Sequence, residues 1–174
     1  MRRDADPFAT PPEQRDPARR LRGRLTSPVT VWTAGGPDAP AGLTVSSIMV
    51  AEGAPPCVAG IINPVSDLWD ALRETRAFVV HVLERGQRDL AERFAGRTPS
   101  PGGLFRDVVV EHGEWGPVLT VVGNRARCRV TATQQIGYHE LVLGTIEGVE
   151  TTIFEDPLAY FLGRYRSLTP RGDF

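Results

Sequence analysis

The chain has 174 residues, enough for one domain with a substantial core. Apolar residues make up 41% and charged residues 24% of it, fractions typical of a soluble globular protein, and the net charge of −1 argues against a nucleic-acid-binding surface. All 20 basic residues are arginines, so Schiff-base chemistry on a lysine is excluded. No run reaches the roughly 18 apolar residues of a membrane span, and the N-terminus lacks the apolar core of a secretion signal. We therefore expect a cytoplasmic protein that binds neither nucleic acid nor a membrane.

The first 24 residues have the composition of a disordered or loosely attached arm. They hold seven arginines and four prolines but almost no large apolar residue. A phosphate-binding role for these arginines is an alternative to a solvated arm. We expect the ordered domain to span residues 25–168 and a short tail to follow at residues 169–174.

Two strands are predicted after the arm. Residues 28–34 are β-branched and aromatic and end in a Gly-Gly-Pro turn, so they indicate a strand. A second strand, at residues 41–50, follows after a short loop and should form an antiparallel hairpin with the first. Its segment Gly42-Leu43-Thr44-Val45-Ser46-Ser47 carries small hydroxyl residues, which leave room beside the backbone. Gly42 lacks a side chain, so another group is able to approach the main chain closely there. These features suit a flat, phosphorylated ligand, and a Ser/Thr-rich edge strand is the alternative.

The next pair of elements is a buried strand and a helix. Residues 57–62 form a continuous apolar run that ends at Asn63-Pro64, which predicts a strand covered on both faces. Residues 66–72 predict a helix with Leu68, Leu72 and Trp69 on its buried face. The side-chain oxygen of Ser66 or Asn63 is suited to cap this helix by accepting from the free backbone N–H groups of its first turn. The same N–H groups are able to hold a phosphate instead.

Residues 78–83 predict another buried strand, which contains His81. A lone histidine in such a strand is more often structural than catalytic. Residues 87–94 predict a short helix that ends at Gly96, and residues 97–106 predict a loop.

The remaining pattern is mostly of strands. They are predicted at residues 108–111, 118–122, 126–136 and 140–149, with a short helical turn at 157–160. About seven strands with hairpin-length connections and two or three short helices favour a closed antiparallel barrel, mainly β, with helices at its ends.

Several kinds of site find no support in the sequence. Cys57 and Cys128 are far apart and outside any CxxC pattern, so we expect buried, reduced thiols and no metal. None of the three histidines is paired at i, i+4, and GxSxG, GxxxxGK[ST], HExxH and GxGxxG motifs are absent. The sequence therefore lacks the motifs that hydrolase, metalloenzyme and Rossmann-type nucleotide sites require.

An ordered set of segments resembles the flavin reductase family of the FMN-binding split β-barrel. The resemblance runs from Ser27 to Arg166. It is carried by Pro28-Val29-Thr30-Val31-Trp32-Thr33-Ala34, Gly42-Leu43-Thr44-Val45-Ser46-Ser47, Pro55-Pro56, Asn63 with Ser66, Phe78-Val79-Val80-His81-Val82-Leu83, Leu90-Ala91-Glu92-Arg93-Phe94-Ala95-Gly96, Gly137-Tyr138-His139, and Pro157-Leu158 through Gly163-Arg164-Tyr165-Arg166.

This resemblance implies a split antiparallel β-barrel that forms a homodimer and holds FMN or FAD near the subunit interface. It also implies hydride transfer from C4 of NADH or NADPH to flavin N5, and a partner monooxygenase that receives the reduced flavin. The sequence leaves open the choice between FMN and FAD, the choice between NADH and NADPH, and the partner.

The resemblance also implies roles for particular residues. Thr44, Val45, Ser46 and Ser47 would lie along the isoalloxazine edge and ribityl chain. The ribityl-phosphate side would be bordered by Asn63, Pro64 and Ser66, and Ala95 and Gly96 would approach from the loop after the short helix. His139 is the candidate catalytic residue, and it would lie near the nicotinamide with Arg164 and Tyr165.

The chain departs from the family pattern at one position. Family members often carry Gly-Asp-His where this chain has Gly137-Tyr138-His139. The missing acid leaves open the orientation of His139 and the pyridine-nucleotide preference, and Tyr138 is able to stack on a ring. It also motivates an alternative function, a flavin-binding electron carrier without pyridine-nucleotide activity. A third possibility is a barrel that binds a deazaflavin or haem.

Overall fold

The computed structural model describes residues 17–168, which are built mainly from β-strands. Three α-helices span Pro17–Arg24 (α1), Asp67–Thr75 (α2) and Arg88–Phe94 (α3), and a 3₁₀ turn precedes α3 at Arg85–Gln87. The strands are Ser27–Pro28 (β1), Thr30–Ala34 (β2), Ala41–Val45 (β3), Ile48–Ala51 (β4), Cys57–Ile62 (β5), Ala77–Val82 (β6), Val110–Gly113 (β7), Gly116–Leu119 (β8), Arg125–Ile136 (β9), His139–Glu150 (β10), Leu158–Phe161 (β11) and Arg164–Ser167 (β12).

The main sheet is antiparallel and has seven strands in the order β3-β2-β6-β9-β10-β5-β4. Strands β3 and β4 therefore lie at opposite edges, although only Ser46 and Ser47 separate them in the chain. In a flat sheet these edges would be about 29 Å apart, because neighbouring strands lie about 4.8 Å apart. The chain from Val45 to Ile48 spans at most about 11 Å. The sheet must curl until its edges almost meet, which confirms the predicted split antiparallel barrel.

The interior of the barrel is filled by an apolar cluster. Trp32 stacks on Phe78 with ring centroids 4.7 Å apart. A Cβ atom at position 60 would lie 2.5 Å from the Trp32 ring, so only glycine fits at Gly60. Helix α2 packs on the same cluster through Leu68 and Leu72, as its helical spacing predicts.

A second apolar cluster lies on the other face of β2. Val31 packs there with Phe94 of α3 and Leu119 of β8, whereas Trp32 faces the barrel interior. Every residue of β2 is therefore buried, and this strand joins the two cores. The predicted hairpin is also confirmed, since β2 pairs with β3 in antiparallel register from Thr30–Val45 to Ala34–Ala41.

His81 is a structural residue of this second core, as its sequence context predicts. Its Nε2 atom accepts a hydrogen bond from the Leu119 N–H at 3.0 Å. The proton therefore lies on Nδ1, which donates to the Val31 carbonyl oxygen at 3.1 Å. The side chain is fully buried, and this burial lowers the pKa of His81 from 6.5 to about 4. The neutral ring thus ties β6 to β2 and β8.

Two predicted strands differ from the observed ones. The strand predicted at residues 41–50 is interrupted at Ser46-Ser47, because β3 and β4 pair with different neighbours at opposite edges of the sheet. The prediction that residues 57–62 are covered on both faces is wrong for a single chain. The outward-facing Ile61 is 38% exposed and Cys57 is only partly buried, whereas Cys128 is fully buried as predicted.

The helical turn predicted at residues 157–160 is also wrong. Residues 158–160 belong to β11, which pairs with β12 and, on its other side, with β1. Leu162 and Gly163 connect β11 to β12 with φ angles of 49° and 76°. Positive φ at both central residues is typical of a tight two-residue hairpin turn. Leucine is unusual at the first of these positions, so the sequence did not indicate the hairpin.

The N-terminal arm is only partly described. Residues 17–24 form α1, which has no buried residue. The Gly23 carbonyl oxygen accepts a hydrogen bond from the Leu162 N–H at 2.9 Å. Residues 1–16 and 169–174 lie outside the described residues, so the predicted arm and tail boundaries stay predictions. No helix within residues 17–168 is long and apolar enough to cross a membrane.

His81 predicts how the stability depends on pH. Since folding lowers its pKa, the stabilisation is complete above the unfolded-state value of 6.5 and is lost as the pH falls towards 4. We expect the free energy of unfolding from urea denaturation to fall by about 2 kcal/mol between about pH 7 and about pH 4.5. A His81→Gln variant should lose this dependence, and the exposed His112→Gln control should keep it. An unchanged pH dependence in the His81 variant would contradict the assignment.

Candidate functional site

The residues predicted to bind the ligand meet along the gap between the two edges of the barrel. Ser46 and Ser47 form this connection, and they are outside strand pairing. The Ser47 carbonyl oxygen accepts a hydrogen bond from the Ile61 N–H at 3.1 Å, and the Ser47 hydroxyl donates to the Ile61 carbonyl oxygen at 3.0 Å. These bonds join the connection to the end of β5, where Asn63 and Pro64 follow. The structure therefore brings together the predicted residues 44–47 and 63–66.

The hydroxyl groups along this gap differ in what they can still donate. Thr44 already donates to the Ala91 carbonyl oxygen of α3 at 2.7 Å. Ser66 donates to the Asn63 carbonyl oxygen at 2.7 Å. By contrast, the half-buried Ser46 hydroxyl has no hydrogen-bond partner within residues 17–168. A half-buried hydroxyl without a partner is suited to bind a ligand acceptor.

Asn63 and Val45 contribute in different ways. The Asn63 side-chain oxygen accepts from the Val65 N–H at 3.2 Å, and its amide NH₂ donates to no residue of the described part. Val45 is only 2% exposed and belongs to the interior core, so its side chain cannot reach a ligand on the outside of the barrel. Of the side-chain donors of residues 44–47 and 63–66, the Ser46 hydroxyl and the Asn63 amide are thus available.

The N-terminus of α2 is capped as the sequence predicts. The Trp69 N–H donates to the Ser66 hydroxyl oxygen at 3.3 Å. Asp67 and Asp70 both lie in the first turn of the helix, where their carboxylates complement its dipole. Capping therefore accounts for Ser66, and two nearby negative charges disfavour a phosphate on this helix terminus.

Helix α3 lies against β3 at the other end of the gap. A Cβ atom at position 42 would lie 2.5 Å from the Phe94 ring. The close approach predicted at Gly42 is thus made by Phe94 and not by a ligand. Ala95 and Gly96 end this helix, Gly96 with a φ of 66°. The hydrogen bond between Thr44 and α3 places both near the gap.

An arginine and two tyrosines lie beside the end of α3. The Arg97 guanidinium donates to the Tyr160 hydroxyl at 2.8 Å and lies 5.2 Å from the centre of the Tyr160 ring. Tyr160 packs edge-to-face on Tyr165, with ring centroids 5.3 Å apart. Tyr165 therefore lies near Ala95 and Gly96, on the face of β12 opposite to that of its exposed neighbour Arg164. Neither Arg97 nor Tyr160 was predicted as a site residue, because the sequence pattern indicated a loop from residue 97 and a helical turn at residues 157–160.

His139 lies on the β5 side of the gap, away from the cluster of Arg97, Tyr160 and Tyr165. It is the first residue of β10 and lies opposite Ile136, directly after the turn that carries Tyr138. Its neighbour Glu140 pairs with Ile62, so His139 is close to the end of β5. Tyr138 is 89% exposed. No hydrogen bond, ion pair or ring contact within residues 17–168 connects His139 to Arg164 or Tyr165, which lie in the three-stranded sheet.

A cavity of about 320 Å³ opens into the barrel elsewhere. Its wall is mainly aliphatic and includes Val58, Val80 and Ile146, with Arg125 and Glu150 paired at the rim. None of the predicted site residues lines it. An aliphatic wall is poorly suited to a ribityl phosphate, so the gap between β3 and β4 is the better candidate for a nucleotide.

Comparisons with known proteins agree with this architecture. The sequence model of the family described as "Flavin reductase like domain" matches residues 22–169. The FMN reductase (NADH) RutF of Methylorubrum extorquens is 31% identical over 156 residues, which cover 86% of this chain and 73% of that protein. The reductase component of 4-hydroxyphenylacetate 3-monooxygenase of Thermus thermophilus is 34% identical over 145 residues, or 83% of this chain and 91% of that protein.

A solved structure shares the fold. The NADH:FAD oxidoreductase SgcE6 of Streptomyces globisporus C-1027, in complex with NAD and FAD fragments, superposes with a TM-score of 0.80. It is 26% identical, and the match covers 95% of this chain and 99% of that one. The barrel, the match over residues 22–169 and these relatives together show that the chain belongs to the flavin reductase family.

Proposed function

We propose that this protein is an NAD(P)H-dependent flavin reductase that transfers hydride from the nicotinamide to FMN or FAD. The observation that carries the proposal is the gap between β3 and β4, where neutral donors converge on the outside of a flavin reductase barrel. The relatives' names support the same chemistry, since they include FMN reductase (NADH) and the reductase component of a monooxygenase. The reduced flavin would therefore supply a separate monooxygenase.

The groups at the gap fit a flavin that binds reversibly. The Ser46 hydroxyl and the Asn63 amide offer hydrogen-bond donors without a charge, and Thr44, Ser47 and Pro64 would border the same ligand. When bound, the flavin supplies the ring that accepts the hydride, and the protein binds and orients it. Neutral hydrogen bonds each contribute only about 1 kcal/mol, which suits a nucleotide that must leave for a partner enzyme.

The nicotinamide side of the site is proposed to involve His139, Arg164 and Tyr165. In one chain His139 lies beside the end of β5, whereas Tyr165 lies beside α3. A site at a subunit interface would allow residues from two copies to contribute to one nicotinamide pocket. Tyr138, which is 89% exposed next to His139, would offer its ring to the same pocket.

A homodimer is proposed from the outer face of the barrel. Four apolar residues form a row across neighbouring strands, since Met49 pairs with Ala59, Ala59 with Leu143, and Leu143 with Ala132. Met49 is 71% exposed and Leu143 is 37% exposed. A second copy would cover this row and the adjacent Ile61. This cover also accounts for the continuous apolar sequence of β5.

The function predicts that the purified protein oxidises NADH or NADPH when FMN or FAD is added. The reaction is measured under anaerobic conditions as the loss of absorbance of NADH or NADPH, with one flavin added at a time. Comparison of the rates gives the preference between FMN and FAD and that between NADH and NADPH. Turnover with neither flavin would contradict the proposal. Flavin that stays bound through gel filtration without NAD(P)H oxidation would instead support the electron carrier, and the absorption spectrum would reveal a deazaflavin or haem.

The hydrogen bonds at the gap predict different effects for two adjacent serines. Ser46→Ala should weaken flavin binding by about fivefold, because its hydroxyl is free to donate to the ligand and a neutral hydrogen bond contributes about 1 kcal/mol. Ser47→Ala should weaken it less, since that proton is already donated to Ile61. Fluorescence titration of flavin gives both dissociation constants. Equal losses, or a larger loss for Ser47→Ala, would contradict the assignment of Ser46.

The apolar row predicts the effect of a buried charge on assembly. Leu143→Glu should convert the homodimer to a monomer, because two carboxylates would be forced into the interface. Sedimentation velocity of the wild type and the variant measures the change. Val109→Glu is a matched control, since Val109 is a 73% exposed aliphatic residue outside the row. A wild-type monomer, or a variant that remains dimeric, would refute this interface.

A further inference from the structure

Arg97 is held in one position by three contacts with aromatic side chains. Its guanidinium donates to the Tyr160 hydroxyl at 2.8 Å. It also lies 5.2 Å from the centre of the Tyr160 ring and 5.9 Å from that of Tyr165. The two rings support each other edge-to-face. A long side chain fixed in this way loses little further freedom when it binds a ligand.

The charge of Arg97 is not neutralised by a direct ion pair. The neighbouring Arg88 lies 5.5 Å from the Tyr165 ring and is paired with Glu92 at 3.0 Å. No carboxylate of residues 17–168 lies within ion-pair distance of Arg97, although Glu92 acts on it at longer range. Two arginines and one glutamate leave this cluster with a net positive charge.

Arg97 also keeps hydrogen-bond donors for a ligand. A guanidinium has five N–H groups in a planar fork, and one nitrogen of Arg97 is occupied by Tyr160. The residue is exposed, so its other N–H groups are accessible from solvent. The planar fork matches the oxygen atoms of a phosphate, which it can bind through two parallel hydrogen bonds.

The position of Arg97 relates this cluster to the gap between β3 and β4. Arg97 directly follows Gly96 at the end of α3, and its N–H donates to the Glu92 carbonyl oxygen at 3.0 Å. The same helix accepts the hydrogen bond of Thr44. At the opposite side of the gap, Asp67 and Asp70 surround the N-terminus of α2 and repel an anion. Electrostatics therefore favour a phosphate on the α3 side.

We propose that Arg97, positioned by Tyr160 and Tyr165, binds a phosphate group of the nucleotide that occupies this site. The inference rests on the proposed function and deepens it. The phosphate belongs either to the flavin nucleotide or to the diphosphate of the pyridine nucleotide, since both offer the same chemistry. A purely structural role, in which Arg97 only anchors the β11–β12 hairpin to α3, is the alternative.

The test compares three arginine variants. Arg97→Gln removes the charge but keeps a donor for Tyr160, and Arg97→Lys keeps the charge. Arg73→Ala is the matched control, because Arg73 is an exposed arginine at the end of α2. For each protein, the dissociation constants of FMN and FAD are measured by fluorescence titration and the KM for NADH by initial rates. Thermal unfolding verifies that each variant is folded.

If Arg97 binds a phosphate, Arg97→Gln should raise at least one of these dissociation constants, or the KM for NADH, by about tenfold or more. Hydrogen bonds to charged groups contribute that much to binding. Loss of affinity for both flavins identifies the flavin 5′-phosphate, and loss for FAD alone identifies its adenylate side. A raised KM for NADH alone identifies the pyridine nucleotide. Arg97→Lys should restore part of the loss. Constants within about twofold of the wild type in Arg97→Gln, or equal losses in Arg73→Ala, would overturn the proposal.

Inorganic pyrophosphate separates this inference from the proposed function. Its binding, measured by calorimetry, should be about tenfold weaker in Arg97→Gln than in the wild type whether or not the protein oxidises NADH. An inactive wild type that binds pyrophosphate through Arg97 would refute the reductase and keep the anion site. An active wild type whose pyrophosphate affinity is unchanged in the variant would refute the anion site alone.

Discussion

The two-residue connection between opposite edges of the main sheet is the constraint on which the rest of the structure depends. Because Ser46 and Ser47 span so short a distance, the sheet has to close on itself, and the strands on either side of the gap diverge to different partners. Residues at such a gap leave regular pairing, so a polar group such as the Ser46 hydroxyl becomes available to a ligand. The same feature that closes the barrel thus creates the candidate flavin site.

Side-chain hydrogen bonds determine which residues of that site are free to act. Thr44 and Ser66 are chemically as suitable as Ser46, yet their protons are given to backbone carbonyl groups of the protein. Charge is distributed in the same selective way. The terminus of α2 carries two aspartates, whereas the end of α3 is followed by an arginine fixed on two tyrosine rings. The gap therefore has an acidic side and a basic side, which would orient a nucleotide bound there.

Local sequence patterns predicted most of the helices and strands, but little of how the strands pair and which distant residues form hydrogen bonds. The β-branched run before residue 34 and the Ser66 cap identified β2 and α2 because these signals depend on neighbouring residues. The break at Ser46 depends on which strands pair, and the turn at Leu162 places leucine where glycine is usual, so neither has a local signal. The acceptor of the Thr44 hydroxyl is 47 residues away, which explains why the sequence did not distinguish a free hydroxyl from an occupied one.

The exposed thioether of Met49 has a chemical consequence for assembly. Reduced flavin that reacts with oxygen before it reaches a partner yields hydrogen peroxide, and peroxide converts methionine to its sulfoxide. A sulfoxide would place a polar oxygen at the β4 end of the apolar row that two copies are proposed to share. Separated subunits, whose Met49 is open to solvent, would be oxidised first and would then associate less readily. Wasteful turnover would in this way diminish the population of paired subunits.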